Sequence, residues 1–424
     1  MTHVLDPDLD HRPARGSGRN FQRLWLGEGV SLLGNSTSSV LLELLAVLHL
    51  HAGAGWMGAL TAAAWLPWLV VGLAAGAWVD PLSPRRVMIA ADLVAAAALA
   101  SIPIAWWAGV LTLWQLLAVG LSTGTASVFF RPAYVKLIPL VVPDAQLHKA
   151  NSRLAGTESA AQIIGPGLAG QLARLGSAAT GVLFDAASFC VSAYCLWRIR
   201  IDEAGVRSPA RDGLLARIRD GVRLVAHDRY LRTFTVIGGI GNFGLTGFNV
   251  LLVLYWSRTL HLSAGAIGWL FMLGSCGGVL GAALVDVLTR RFGTGTTSTA
   301  LLLVAGPASL LIGFPRDHRM IWLSVAGLTV MDACVVAGNA LRGAWRQRYV
   351  PARLMARVTT TSQVINLGSM PIAALVAGWL GGAIGVRPTI LALAAVFALS
   401  DVAVLLTRAG RTRELPVRCV EAGR

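Results

Sequence analysis

The sequence predicts an all-α membrane protein whose twelve transmembrane helices form two pseudo-symmetric six-helix bundles. Three observations carry that expectation: a composition too apolar for water, a distribution of basic residues that sorts onto one side of a bilayer, and a weak internal repeat. Of 424 residues 55% are hydrophobic and 13% charged, where a soluble chain carries roughly 25% charged residues. With mean hydropathy at +0.64, too little polar side chain remains to cover a water-facing surface. A cytosolic enzyme, a secreted disulfide scaffold and a disordered chain are excluded on these grounds. The five cysteines show no CxxC spacing and four lie within apolar runs, so they read as small buried hydrophobes, with no metal site.

Taken in order, residues 1–23 read as a cytoplasmic tail. Asp6, Asp8, Asp10, Arg12, Arg15 and Arg19 leave no apolar core for a cleavable signal peptide. A bilayer-crossing helix needs about 20 mostly apolar residues. Twelve such stretches follow, over 24–48, 57–79, 87–108, 111–130, 155–175, 178–198, 233–256, 265–288, 298–315, 320–341, 361–383 and 387–407. The expected organisation is an N-terminal bundle over 24–198, a basic cytoplasmic linker over 199–232, a C-terminal bundle over 233–407 and a cytoplasmic tail over 408–424. Within the linker Leu214, Ile218, Val222 and Val225 share one helical face, with Arg217, Arg219 and Asp220 off it. That pattern fits either an amphipathic helix on an anionic inner leaflet or a solvated basic linker.

Placing both termini inside puts 31 of the 36 basic residues in cytoplasmic segments and leaves five outside: Arg174, Arg258, Arg316, Arg319 and Arg387. Such a bias is the positive-inside signature. The net charge of +15 therefore reports orientation, and nucleic acid is not an expected partner. The expected location is a bacterial cell membrane, multi-pass, with the lipid bilayer as solvent and the chain as a monomer.

The repeat runs at an offset of about 207 residues. Gly34-Asn35 recurs as Gly241-Asn242. Asp80 followed by Arg85-Arg86 recurs as Asp286 followed by Arg290-Arg291. After the fourth and tenth stretches, Arg131-Pro-Ala-Tyr134 and Val142-Pro143 correspond to Arg342-Gly-Ala-Trp345 and Val350-Pro351. Several matches in one order at one offset argue for a six-helix unit used twice.

Two six-helix halves, a basic central loop and the turn Gly76-Ala-Trp-Val-Asp80-Pro-Leu-Ser-Pro-Arg85-Arg86 resemble the major facilitator superfamily and its loop between helices two and three. Asp92 lies near the acidic position that often ends that motif, and Pro81 stands where members usually carry Arg. The resemblance implies a conformational latch, in which a carboxylate caps a helix of the opposite half and arginines hold the cytoplasmic ends. Gly165-Pro166-Gly167-Leu168-Ala169-Gly170 is similar to the Gly-Pro-x-x-Gly-Gly motif of the exporters in that superfamily, with Ala169 replacing one closing glycine. Proline and glycines there would kink the helix and admit a close neighbour, forming a packed gate. The loop over Arg131–Asn151 and its counterpart from Gln347 resemble the branch that holds enterobactin exporters and macrolide efflux pumps.

An ionisable group at mid-membrane costs several kcal/mol unless it meets a cavity or a partner, so each is a candidate. Glu28, Ser31, Asn35, Ser39 and Glu43 share one face of the first stretch. Thr235, Asn242, Thr246 and Asn249 repeat the arrangement in the seventh, and Ser324, Asp332 and Asn339 in the tenth. The resemblance implies that these helices line a central cavity. Glu43 and Asp332 are the carboxylates expected to exchange a proton for a cationic or amphiphilic substrate. The neutral residues fit interhelical hydrogen bonds equally well. Glu158 and Gln162 form a second polar pair beside Gly165-Pro166, whereas Asp185 with Ser188 and Ser192 reads as helix packing.

Gly239-Ile-Gly241-Asn-Phe-Gly244 fits a dinucleotide fingerprint but sits inside an apolar stretch with no strand before it, and no P-loop occurs, so neither ATP nor a cofactor is expected. The eight histidines lie in tails, loops or span ends, which weakens a membrane-embedded hydrolase; a non-transporting sensor is weakened by the polar stripes. The expected function is a secondary active exporter of a small amphiphilic compound, of drug, macrolide or siderophore type, working by alternating access with proton antiport. The alternative is a lipid or siderophore mover on the same fold with a different driving force.

Overall fold

The computed structural model describes residues 17–200 and 222–417, and every regular element among them is helical. Helix α1 spans Ser17–Leu44 and continues as a π-helical turn, Leu45–His49. There follow α2 (Ala54–Val70), α3 (Gly72–Val79), α4 (Pro84–Trp107), α5 (Leu113–Val141), α6 (Leu147–Leu175) and α7 (Ala178–Arg198). After the linker come α8 (Arg229–Asn249), α9 (Leu252–Arg258), α10 (Ala264–Phe292), α11 (Thr294–Gly313), α12 (Ile321–Tyr349), α13 (Ala352–Ala383) and α14 (Val386–Val402).

The helix starts have local causes. Ser83 caps α4 by accepting from the Arg86 N–H, with Pro84 in the first turn, where its missing N–H costs nothing. Thr112, Ser177 and Ser263 cap α5, α7 and α10, and Asp228 accepts from the Tyr230 and Leu231 N–H groups to cap α8. Pro67 lies in the last turn of α2, and the chain is interrupted at Val71 before α3 continues the same path.

Among the described residues ten helices are long and apolar enough to cross a membrane. α2 is a shorter apolar helix extended by α3, and α6 is 29 residues long but more polar. With these two paths the bundle has the twelve crossings expected from the sequence. Several helices run past the apolar stretches. α5 continues to Val141 and α12 to Tyr349, so Arg131, Tyr134, Arg342 and Trp345, assigned to loops by hydropathy, stand on helices. The extensions persist because they still bury a face: Ala133, Leu137 and Val141 on α5, and Leu341, Trp345 and Tyr349 on α12.

In the first group α1 packs on α6 and α7, α4 on α5 and α7, and α2 on α5. In the second, α12 packs on α10 and α11, and α14 on α8 and α11. Two helix pairs join the groups, α2 with α13 and α6 with α10. The most deeply buried large side chains, Trp256, Tyr255 and Phe248, cluster at the end of the bundle where α8 gives way to α9.

The expected amphipathic face at Leu214 and Ile218, with Arg217, Arg219 and Asp220, lies outside the described residues. Residues 222–227 are helical, with Val225 buried and Val222 exposed. Of the C-terminal tail, residues 408–417 fold back onto α11 and α12: the Gly295 N–H donates to the Arg413 carbonyl (3.0 Å) and Trp345 Nε1 to the Pro416 carbonyl (2.9 Å).

Candidate functional site

Two glycine seams join the groups at the end of the bundle remote from the arginine-rich segments. On the first, a Cβ at Gly58 of α2 would stand 2.4 Å from the Ala374 carbonyl oxygen and 2.9 Å from the Gly378 Cα of α13. On the second, a Cβ at Gly268 of α10 would stand 2.5 Å from the Pro166 carbonyl oxygen of α6, and one at Gly170 would stand 2.9 Å from the Ala264 oxygen. Only glycine permits either approach. The Gly-Pro motif divides its work: Gly165 admits Ser36 of α1 within its own group, while Pro166 and Gly170 meet α10 across the seam. Gly58 and Gly378 escaped the sequence reading because small residues are common throughout such helices.

At the opposite end Asp80 terminates α3, where its carboxylate lies 2.9 Å from the Lys136 ammonium, which also donates to the Asp80 carbonyl (2.8 Å). Arg85 donates to the Leu196 and Trp197 carbonyls (2.9 and 2.5 Å), holding the C-terminal end of α7, where unpaired carbonyls favour a cation. The partner of Asp80 is therefore Lys136 of its own group, not a helix of the other half; the extension of α5 brings that lysine within reach. Arg86 is exposed, and nothing lies within 4 Å of a Cβ placed on Gly76. The second copy of the motif builds no matching cluster among the described residues. Asp286, Arg290 and Arg291 are exposed on α10, which runs unbroken to Phe292 because no proline interrupts it there. A part-exposed ion pair contributes about 0–1 kcal/mol. Asp80→Asn is accordingly expected to shift the thermal midpoint of the purified chain by less than about 3 °C, and a larger loss would assign the pair a structural role.

The polar stripe on α1 divides. Asn35 and Ser39 are exposed, Ser31 is buried, and Glu28 and Glu43 are half-buried. Glu28 lies within electrostatic reach of Asp92 on α4, Arg131 on α5 and Glu158 on α6, and Tyr134 joins the same group. Asp92 is buried, with the Ser192 hydroxyl of α7 as its polar neighbour. Gln162, one turn beyond Glu158, is exposed.

Glu43 and Asp332, the favoured carboxylates in the sequence, stand apart from this cluster. Glu43 occupies the last turn of α1 before the π-helical segment, some 15 positions and about 22 Å along the helix from Glu28. The Asp332 carboxylate faces α10, 3.5 Å from a Cβ placed on Gly274. Helical periodicity defines a face but not what each turn of that face meets. Asp185 accepts from the Ser188 hydroxyl (3.0 Å) and presses on Gly34 of α1, a packing contact.

In the second group a cavity of about 240 Å³ brings together Asn242 of α8, Asn339 of α12 and residues the sequence reading had not joined: Arg342 and Arg346 of α12, Asn366 of α13 and Asp401 of α14. Arg342 donates to Asn339 Oδ1 at 3.1 Å. Asn249, half-buried at the end of α8, is not among the cavity residues. The Gly239–Gly244 pattern serves packing, since Gly244 admits Leu393 and Phe397 of α14.

A family model described as a transmembrane secretion effector matches residues 14–418. The multidrug efflux pump Tap of Mycolicibacterium fortuitum is 28% identical over 360 residues, covering 81% of this chain and 85% of that one. Macrolide efflux protein A of Streptococcus pyogenes is 23% identical over 376 residues, covering 87% and 90%. Among solved structures, the nucleoside transporter NupG overlays with a TM-score of 0.71 at 12% identity, covering 91% of this chain and 98% of that one. An inward-facing bacterial homologue of ferroportin overlays at 0.70 with 16% identity, covering 90% and 98%. These structural likenesses establish the fold.

Proposed function

The chain belongs to the transmembrane secretion effector family and has the major facilitator fold, and on that premise we propose that it is a secondary active exporter of a small amphiphilic compound in a bacterial plasma membrane. The observation that carries this reading is an asymmetry along the bundle. Glycine seams bring α2 to α13 and α6 to α10 at one end, while Asn35 of α1, Gln162 of α6 and Asn339 of α12 are exposed. Two groups of helices drawn together at one end by such seams fit one station of an alternating-access cycle. The basic residues of the other end orient it toward the cytoplasm, with both termini there. Two relatives that carry efflux in their names support the direction of transport.

The coupling ion in this reading is the proton. Glu28, Asp92 and Glu158 crowd one region with Arg131, and adjoining carboxylates in a low-dielectric site share protons readily. The substrate is of drug, macrolide or siderophore type, and the chain works as a monomer without ATP. Inverted vesicles loaded with a panel of amphiphiles test the proposal: uptake is expected with an imposed proton gradient and is lost with a protonophore. Uptake indifferent to the gradient would instead favour a lipid or siderophore mover with another driving force. Glu28→Gln is expected to lower gradient-driven uptake at least about tenfold, as befits an intramembrane carboxylate with a charged neighbourhood. Glu43→Gln and Asp332→Asn, measured in the same vesicles, decide whether the two outlying carboxylates take part; unchanged uptake in both removes them from the proton path.

A further inference from the structure

The cavity of the second group has a charge character of its own. Around about 240 Å³ stand two guanidinium groups, Arg342 and Arg346, against one carboxylate, Asp401. Asp401 acts electrostatically on Arg342 but lies beyond ion-pair distance, so one positive charge is left over. Arg342 Nη1 is buried without a hydrogen-bond partner among the described residues, and so is the side-chain oxygen of Asn366. A buried guanidinium N–H with nothing to donate to is a costly arrangement unless a ligand completes it. The Arg342 side chain folds back over Gly338, where a Cβ would stand 2.9 Å from both terminal guanidinium nitrogens. The glycine is thus the floor on which the guanidinium rests. Phe234 and Phe397 supply apolar wall in the same cavity, and the Asn366 amide, turned by 180°, would offer its NH₂ alongside Arg342.

Resting on the exporter reading, we propose that this cavity is a subsite for the compact anionic group, carboxylate or phosphate, of an amphiphilic substrate, with Arg342 and Arg346 as its donors. Guanidinium forks match such oxygens in geometry as well as charge. The polar cluster of the first group offers one guanidinium, Arg131, beside three carboxyl groups, against two guanidinium groups and one carboxyl at α12, so the anionic end of a substrate is directed to α12. The volume suits one aromatic ring with a short chain.

The test is calorimetric titration of the full chain in nanodiscs with 4-butylbenzoate and its uncharged isostere 4-butylbenzamide. Wild type is expected to prefer the acid at least about tenfold, the scale of a charge-assisted hydrogen bond in a buried site. Arg342→Gln and Arg346→Gln are each expected to reduce that preference below about threefold, with an unchanged thermal midpoint reporting an intact fold. Gly338→Ala, which moves the guanidinium without removing its charge, is expected to weaken acid binding alone. Equal affinity of wild type for acid and amide, or a preference unaffected by all three variants, overturns the subsite. Discs of phosphatidylglycerol against phosphatidylcholine separate the sources. Loss of acid binding only in the anionic discs identifies a lipid phosphate as the occupant, and equal binding in both identifies the free amphiphile. If gradient-driven uptake of other amphiphiles persists without any acid preference, the anion subsite fails and the exporter reading stands.

Discussion

Valine at Gly58 or at Gly268 is expected to abolish export while leaving each helix group folded. The Cβ alone would stand 2.4 Å from the Ala374 oxygen in the first case and 2.5 Å from the Pro166 oxygen in the second. Both obstacles are backbone, so no side-chain rotation relieves them, and the helices must part. Overpacking of this kind costs typically 1–3 kcal/mol, and every 1.4 kcal/mol is about tenfold in an equilibrium constant. The seams are contacts between groups. The penalty therefore falls only on conformations in which this end is closed, and the population moves toward those in which it is open. Two readouts check this: uptake in inverted vesicles, expected to fall at least about tenfold, and labelling of a cysteine placed at Ala54 by a membrane-impermeant thiol reagent, expected to rise. Gly281→Val is the control, because its Cβ meets the Ala333 backbone inside one group; it is expected to lower thermal stability without raising labelling. Wild-type uptake by the Gly58 variant would remove the seam from the transport cycle.

How much of this was legible in the residues depends on which physical quantity carried each feature. The crossings were legible because hydropathy and arginine placement are properties of the chain itself. Helix ends were not, because hydropathy stops at the first arginine whereas a helix stops when its buried face and its hydrogen bonds run out. That difference moved Arg131 and Arg342 from loops onto α5 and α12 and with them most of the chemistry. The offset between Asp80 and Asp286 is a relation of sequence only. A broken helix gives the first a lysine partner, and an unbroken one leaves the second exposed. Glu158 stands near Glu28, and Asn242 and Asn339 line one cavity, with partners on other helices that periodicity along a single helix does not reveal. Asp401 is a lone acid near the end of an apolar run, and nothing in its own neighbourhood announces the arginines of α12. Glu43 and Asp332 are marked by a costly residue type, which identifies a position without saying what surrounds it.

Arg131→Gln is expected to uncouple export from the proton gradient, and Arg131→Lys to preserve much of the coupling. Glu28 is the residue on which the other three converge: Asp92, Arg131 and Glu158 all act on it. Arg131 is exposed and sits 18 residues into α5. Its removal leaves the packing of Ala133 and Leu137 untouched, so the cost in stability is expected to stay within about 1 kcal/mol. The field at Glu28 changes far more. A cation that separates like charges sets how many protons the three carboxylates hold together, a property of the group rather than of any one acid. Lysine restores the charge but not the planar fork, so partial rescue distinguishes a field effect from bidentate positioning. Proton release on substrate addition, measured in proteoliposomes with a pH-sensitive dye, is expected to fall at least about tenfold in the glutamine variant, while substrate affinity by calorimetry stays within about threefold. Loss of affinity without loss of proton release would make Arg131 a substrate ligand instead. That outcome would move proton coupling back to Glu43 or Asp332, whose distance from any cluster would then be the feature that isolates the proton from the substrate.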